Sequence, residues 1–163
     1  MKLNLEKLIN GLEAFLQIDE KLTIDEDRFF NKVLSPVNLR GTIYAGEETG
    51  VLSGELIYIF KDGCARCLKE TEVEIKENFD LPLIREGRED ESSDDTEALY
   101  NEDEIFLEEF IYDLIITSSP MKVICSEDCK GLCSNCGADL NEQSCDCETD
   151  DVDPRLAKLK ELL

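Results

Sequence analysis

Apolar and polar residues alternate most regularly in the first half of the chain. Val37, Leu39, Gly41 and Ile43 share one side of an extended run, with Asn38, Arg40 and Thr42 on the other, which is the period of a half-buried strand. Val51 to Phe60 carries apolar residues on both faces, as a central strand does, and the loop from Ala45 to Gly50 joins the two runs as a hairpin. Upstream, Leu3, Leu5 and Leu8 lead to Asn10-Gly11, a dipeptide that tolerates the positive φ of a tight turn. Phe15, Leu16, Ile18, Leu22 and Ile24 then continue as a second extended run. Asp62-Gly63 turns the chain, after which Val73, Ile75, Phe79, Leu81 and Leu83 again fall on alternate positions. An antiparallel meander over residues 1–85 is the simplest sheet, and Phe15, Phe60, Phe79, Phe106 and Phe110 sit at core-like positions in the pattern.

The period then changes. Leu107, Phe110, Ile111, Leu114 and Ile115 recur at i, i+3, i+4, i+7 and i+8, the face of an amphipathic helix that Pro120 stops and whose positive end Glu102, Asp103 and Glu104 complement. Between sheet and helix, residues 86–104 hold ten carboxylates against the single Arg88, so like charges repel and the segment reads as a disordered acidic loop. Asp153-Pro154 is an N-cap and N1 pair for a short terminal helix bearing Leu156, Leu159 and Leu163. The pattern predicts an α+β protein in three parts: 1–85 an antiparallel β domain, open or a partly open barrel; 86–104 the acidic loop; 105–163 a helix packed on the sheet, a cysteine-rich knuckle and the closing helix.

Composition adds constraints. With 42% hydrophobic residues in 163, the chain can build one modest core; 17 basic residues against 39 acidic ones leave a net charge of −22. No apolar run approaches the roughly 20 residues of a bilayer span. Lys2, Glu6, Lys7 and Glu13 interrupt the leucines of residues 1–15, so no secretory h-region is present, and the expectation is a cytoplasmic protein.

Eight cysteines in a reducing compartment point to metal or redox chemistry rather than disulfides. Cys133-Ser-Asn-Cys136-Gly137 is the strongest local signal, because a C-x-x-C loop followed by glycine lets thiolates and backbone N–H groups converge on one ion. Two more ligands are needed. The preferred ring is Cys133, Cys136, Cys145 and Cys147, with Cys125 and Cys129 as alternates. The chain contains no histidine, so the set predicts one structural zinc in a closed all-sulfur site. Residues 121–152 hold little large apolar bulk beyond Met121, Val123, Ile124, Leu132 and Leu140, and a metal would replace the missing core. Cys64-Ala-Arg-Cys67 lies between strands rather than at a helix start, so it reads as half of a second metal site with Cys125 and Cys129, or as a redox pair. Carboxylates abound without a histidine or a phosphate-cradling glycine loop beside them, so no catalytic residue is assigned and no enzyme is expected.

The segment from Ile124 to Asn141, ICSEDCKGLCSNCGADLN, followed by Cys145-Asp-Cys147 and Asp153-Pro-Arg-Leu156, resembles the bacterial YceD family of large ribosomal RNA subunit accumulation proteins. Cys64-Ala-Arg-Cys67-Leu68 is similar to that family's other signature, and the likeness covers nearly the whole length. It implies a non-enzymatic role in large-subunit (23S) ribosomal RNA accumulation and ribosome assembly.

Charge shapes how such a role would be played. RNA affinity rests on cations meeting phosphates, and −22 opposes it at long range, although Arg28, Lys32, Arg40, Lys61, Arg66 and Lys69 could form a local patch. The sharper expectation is a basic ribosomal protein, or the precursor large subunit carrying it, gripped through an acidic surface, with Glu89, Asp90, Glu91, Asp94 and Asp95 as contacts. Direct RNA contact stays open, and neither DNA nor membrane is an expected partner. The alternatives are a C-x-x-C thiol-disulfide protein and a zinc-ribbon RNA-binding module.

Overall fold

The computed structural model describes residues 2–45, 49–85, 98–101 and 104–147. The acidic contacts Glu89, Asp90, Glu91, Asp94 and Asp95, and the terminal helix expected from Asp153 onward, lie outside the described residues. The chain divides into two compact units, residues 1–62 with 72–121, and residues 63–71 with 122–163. These cut across the boundaries expected from sequence. The helix before the cysteines belongs with the sheet, and the Cys64–Cys67 turn belongs with the cysteine-rich tail.

The first unit is an α+β fold around one seven-stranded sheet: β1 Lys2–Asn4, β2 Leu16–Leu22, β3 Val33–Ala45, β4 Thr49–Gly63, β5 Glu70–Arg85, β6 Ala98–Asn101 and β7 Glu104–Phe106. Two helices, α1 Glu6–Ile9 and α2 Glu108–Ser118, and a 3-10 turn at Glu26–Phe29 complete it. The strand order is β1-β7-β6-β5-β4-β3-β2, so β1 and β2 are edges and the sheet does not close into a barrel. The hairpin of β3 and β4 is antiparallel from Tyr44↔Val51 down to Asn38↔Ile57, with a register shift at Leu34/Asn38, beside Pro36, which has no N–H to give the ladder. Val37, Leu39 and Ile43 are fully buried, as are Leu52, Leu56 and Tyr58 opposite them, and β5 contributes Leu81 and Leu83 to the same core.

Three expectations of the meander are corrected. Leu5 and Leu8 are not strand residues. Leu5 caps α1 and Leu8 lies in it, so that both reach the core, and Gly11, at φ +67, leads the chain out of that turn rather than closing a hairpin. β2 pairs with β3 instead of β1, and β1 pairs antiparallel with β7. Within the stretch expected to be a loop, β6 runs parallel to β5, with Leu83↔Ala98 to Arg85↔Tyr100, and then pairs antiparallel with β7. Glu104, assigned in the pattern to the helix dipole, lies in β7 and bonds Lys2 at 2.6 Å; Glu108 and Glu109 occupy the first turn of α2 instead.

Helix α2 packs on the sheet through Ile111, Tyr112 and Ile115. The Tyr58 hydroxyl donates to the Ile115 carbonyl (3.4 Å) and meets Ser118 Oγ (2.9 Å), while Phe79 and Phe110 meet edge to face at 5.1 Å. Tyr112 is stacked on Phe29 at 5.5 Å and covered by the Arg28 guanidinium at 4.0 Å. Two expected core aromatics are exposed. Phe106 is exposed beside its buried neighbour Ile105 on the short β7, and Phe15, preceding β2, is half-exposed with its ring 6.2 Å from that of Tyr44. Among the described residues, no helix is long and apolar enough to cross a membrane.

Candidate metal centre

The second unit has a core of sulfur. Cys64, Cys67 and Cys129 are buried together with Leu132 packed against them, while Met121, counted among the scarce apolar residues of this region, is fully exposed. β4 runs out at Gly63, and a tight turn follows. The Leu68 N–H donates to the Cys64 carbonyl (2.9 Å), and the Cys64 N–H donates to the Lys69 carbonyl (2.8 Å). Leu68 sits at φ +62, in left-handed space where a bulky residue is uncommon. The turn aims the N–H of Arg66 at the sulfur of Cys64 (3.4 Å).

A distant segment completes the first cluster. Cys64 forms a parallel bridge with Val123, the Ala65 N–H donates to the Val123 carbonyl (2.8 Å), and the Cys125 N–H reaches the Cys64 sulfur (3.3 Å). Cys125 and Cys129 thereby join Cys64 and Cys67, with all four Sγ atoms within 4.8 Å of one another. Cys64 lies 3.9 Å from Cys129 and Cys67 lies 3.7 Å from Cys125. A tetrahedron of sulfurs about 2.3 Å from a central ion has edges of about 3.8 Å, so these spacings fit a single four-coordinate ion. They are far too long for disulfides, and all eight cysteines are free.

The second cluster is built locally. Cys133, Cys136, Cys145 and Cys147 also bring their sulfurs within 4.8 Å of one another. The turn repeats the first one bond for bond: the Gly137 N–H donates to the Cys133 carbonyl (2.9 Å), and the Cys133 N–H to the Ala138 carbonyl (2.8 Å). Gly137, at φ +74, stands where Leu68 stands in the first turn. The alternates Cys125 and Cys129 therefore do not compete for this ring; they lie in the other cluster. The glycine signature made the second turn legible in sequence, whereas Leu68 in the same backbone position concealed the first as its copy.

Matching electrostatics follow from matching backbones. Cys64 is held down to about 6, first by the N–H of Arg66 and then by those of Cys67 and Cys125. Cys133 is held down to about 6 by the N–H groups of Cys136 and Asn135. Their companions move the other way. The Lys69 N–H pulls Cys67 down, but burial and the neighbouring thiols outweigh it and push the group up to about 12. Cys147 is pushed up to about 12 by Cys136 and Cys133. Cys125 is raised chiefly by Cys129. Cys145 is raised by Cys133 and by burial, against the N–H of Cys147. Each group thus joins one sulfur prepared as an anion to two raised thiols, Cys67 and Cys125 or Cys145 and Cys147, whose protons a bound cation would displace as a Lewis acid.

Arg66 is exposed, but its guanidinium is engaged within the protein. Its Nη1 donates to the carbonyls of Glu127 (3.0 Å) and Cys129 (2.9 Å). Arg28, Lys32 and Arg40 of the expected cationic patch are likewise engaged, with Glu109, Asp62 and Asp19.

Comparison with known proteins places these features in a family. An uncharacterized protein of Mycobacterium tuberculosis is 32% identical over 158 residues, 94% of this chain and 68% of the relative. An uncharacterized protein of Mycobacterium bovis matches to the same extent. A relative in Arabidopsis thaliana named "Large ribosomal RNA subunit accumulation protein YCED homolog 1, chloroplastic" is 27% identical over 147 residues, 73% of this chain and 46% of that protein. No solved structure matches. The sequence model described as "Large ribosomal RNA subunit accumulation protein YceD" matches residues 52–163, a span that contains both cysteine turns, and the chain belongs to the YceD family.

Proposed function

We propose that this chain is a non-enzymatic, cytoplasmic factor that supports accumulation of large-subunit ribosomal RNA, and that its tail is held together by two structural zinc ions. The observation that carries the reading is membership of the family over residues 52–163, which include all eight cysteines. Zinc is favoured over a multi-iron cluster by the sulfur spacing. Four irons would spread four thiolates over four metals, whereas pairs at 3.7 and 3.9 Å suit the ligands of one ion. Bound zinc supplies no redox chemistry; the ligands tie chain segments together and the ion stands in for an apolar core. With their sulfurs committed as ligands, Cys64 and Cys67 leave no free dithiol for thiol-disulfide exchange.

The partner in this reading is a basic ribosomal protein on the precursor large subunit. A net −22 favours encounter with a cation-rich surface, and four thiolates around each Zn²⁺ would add about two negative charges per site. Arg28, Lys32, Arg40 and Arg66 already have internal partners, so direct phosphate contact has little to draw on there. Depletion of the protein in its host is expected to lower 23S relative to small-subunit RNA, and the tagged full chain is expected to capture basic large-subunit proteins together with precursor RNA. An unchanged RNA ratio on depletion would refute the reading.

A further inference from the structure

Cys129 and Cys133 belong to different clusters, yet only Lys130, Gly131 and Leu132 separate them. That connector is gripped from both sides. Leu132 packs on Cys64, Cys67 and Cys129, and its N–H donates to the Arg66 carbonyl (3.0 Å). Gly131, at φ +77, lies so close to Arg66 that a Cβ there would meet the Arg66 carbonyl oxygen at 3.0 Å. On its other side Leu132 bridges Asp139, and the Leu140 N–H donates to the Gly131 carbonyl (2.9 Å). Residues 137–144, which run between the two ligand pairs of the second cluster, are thus laid against a connector that is also part of the first.

Asn141 closes the frame. Its Oδ1 accepts the Lys130 N–H (2.8 Å), and its Nδ2 donates to Asp139 Oδ1 (2.7 Å) and to the sulfur of Cys129 (3.5 Å). A side chain from the loop of the second cluster therefore donates a hydrogen bond to a ligand atom of the first. We propose that the two sites load cooperatively and that Asn141 is the positioning residue that couples them.

The inference rests on the reading that each cluster holds an ion. Residues 137–144 are tethered at both ends only when Cys133 and Cys136 are joined through the metal to Cys145 and Cys147. The tethered loop presents Nδ2 to Cys129, and a donor on a ligating sulfur stabilises its negative charge and fixes its orientation. By linkage, an ion in the first site raises the affinity of the second by the same factor. Outer hydrogen bonds of this kind typically change metal affinity about 10- to 100-fold, and the lower end suits a single bond to sulfur.

The test uses the full chain loaded with Co²⁺ in competition with a chelator, each site being followed by its thiolate-to-cobalt charge-transfer band. Disabling the second cluster with the pair Cys136→Ser and Cys147→Ser is expected to weaken the first site about tenfold. Asn141→Asp keeps an acceptor for Lys130 but removes the donor to sulfur. It is expected to move the first-site band to longer wavelength, and in its background the Cys136→Ser/Cys147→Ser pair should change first-site affinity by less than about twofold. Equal first-site affinity with and without the second cluster, in a chain otherwise native, would overturn the coupling. A coupling factor and band position untouched by Asn141→Asp would overturn the role of Asn141. Absence of a thiolate–cobalt band from every variant would instead remove the two-ion reading itself, and the coupling with it.

Discussion

The two cysteine clusters share a turn but differ in how they are assembled. The first joins Cys64 and Cys67, at the end of β4, to Cys125 and Cys129, some sixty residues further along, and three of its four sulfurs are buried. The second draws all its ligands from residues 133–147; only Cys133 is buried, Cys145 and Cys147 are half-buried, and Cys136 is exposed. An ion in the first site closes a long loop and organises the tail around Cys64, whereas an ion in the second fixes a short loop that would otherwise have little reason to fold. One backbone motif thus serves as a long-range staple in one place and a local clip in the other.

Removing the metal from both sites should have the largest effect. Structural zinc contributes about 10 to 16 kcal/mol in zinc-finger peptides, and among the described residues of the tail the buried cluster is three cysteines with Leu132 against them. Chelation is expected to abolish amide-exchange protection across residues 63–71 and 122–147 while β3 and β4, anchored by Leu39, Ile43, Leu52 and Leu56, keep theirs. Equal loss in both units would mean that the sheet depends on the metal as well.

Removing single ligands should separate staple from clip. Cys129→Ser leaves the long-range cluster with three sulfurs and removes the acceptor of the Asn141 amide, so metal content is expected to fall toward one ion or below. Cys136→Ser acts at an exposed ligand of the local loop, and one ion should be retained in the first cluster. Elemental analysis after gentle dialysis, with thermal melting alongside, distinguishes the two; equal metal loss from both variants would erase the distinction.

Acid should treat the clusters alike at equilibrium. The folded turn lowers Cys64 and Cys133 to about 6 from an ordinary value of 9.0, so their ionised forms favour the folded, loaded state. A group lowered on folding gives its full contribution above its unfolded value and loses it as pH falls through the folded one. The contribution of these two groups to the fold is therefore complete above about pH 9 and fades toward pH 6 in both turns alike, and both ions should leave together as acid protonates their ligands. A chromogenic chelator followed against pH would reveal one shared step. Two steps more than a unit apart would show that burial, rather than the common N–H bonds to sulfur, sets the acid sensitivity.

Legibility in the sequence followed the range of the forces at work. The alternation of Val37, Leu39 and Ile43 reports burial one residue at a time, and the strands of the hairpin lie where it puts them. The grouping of Cys133, Cys136, Cys145 and Cys147 was legible for the same reason, since the four are close in sequence and Gly137 marks the turn. Partners set by tertiary geometry were not. Nothing local tells that Leu5 and Leu8 reach the core from a helical turn or that β1 closes on β7, and the meeting of Cys125 and Cys129 with Cys64 and Cys67 stood in the sequence only as one of several readings. Leu68 in a left-handed turn runs against local preference, so no propensity argument points to it.

That residue supplies the smallest and sharpest comparison. Leu68 and Gly137 occupy equivalent places at φ +62 and +74, but only glycine does so without a Cβ penalty of about 1 to 2 kcal/mol. The Leu68 side chain is 72% exposed, so packing returns little of that cost. Leu68→Gly removes the strain while adding about 0.5 to 1 kcal/mol of unfolded-state freedom, leaving a net gain of about 0.5 to 1 kcal/mol. Gly137→Ala meets open space, with no atom within 4 Å of the new Cβ, so the strain of about 1 to 2 kcal/mol is offset only by about 0.5 to 1 kcal/mol of lost unfolded-state freedom, a net cost of about 0.5 to 1 kcal/mol. Amide exchange at Leu68 and at residue 137, whose N–H groups close the two turns, reads both changes directly. Opposite signs would show that the turns are the same structure carrying different residues. A loss at both would mean that Leu68 holds its place through an intramolecular contact that its exposure does not reveal.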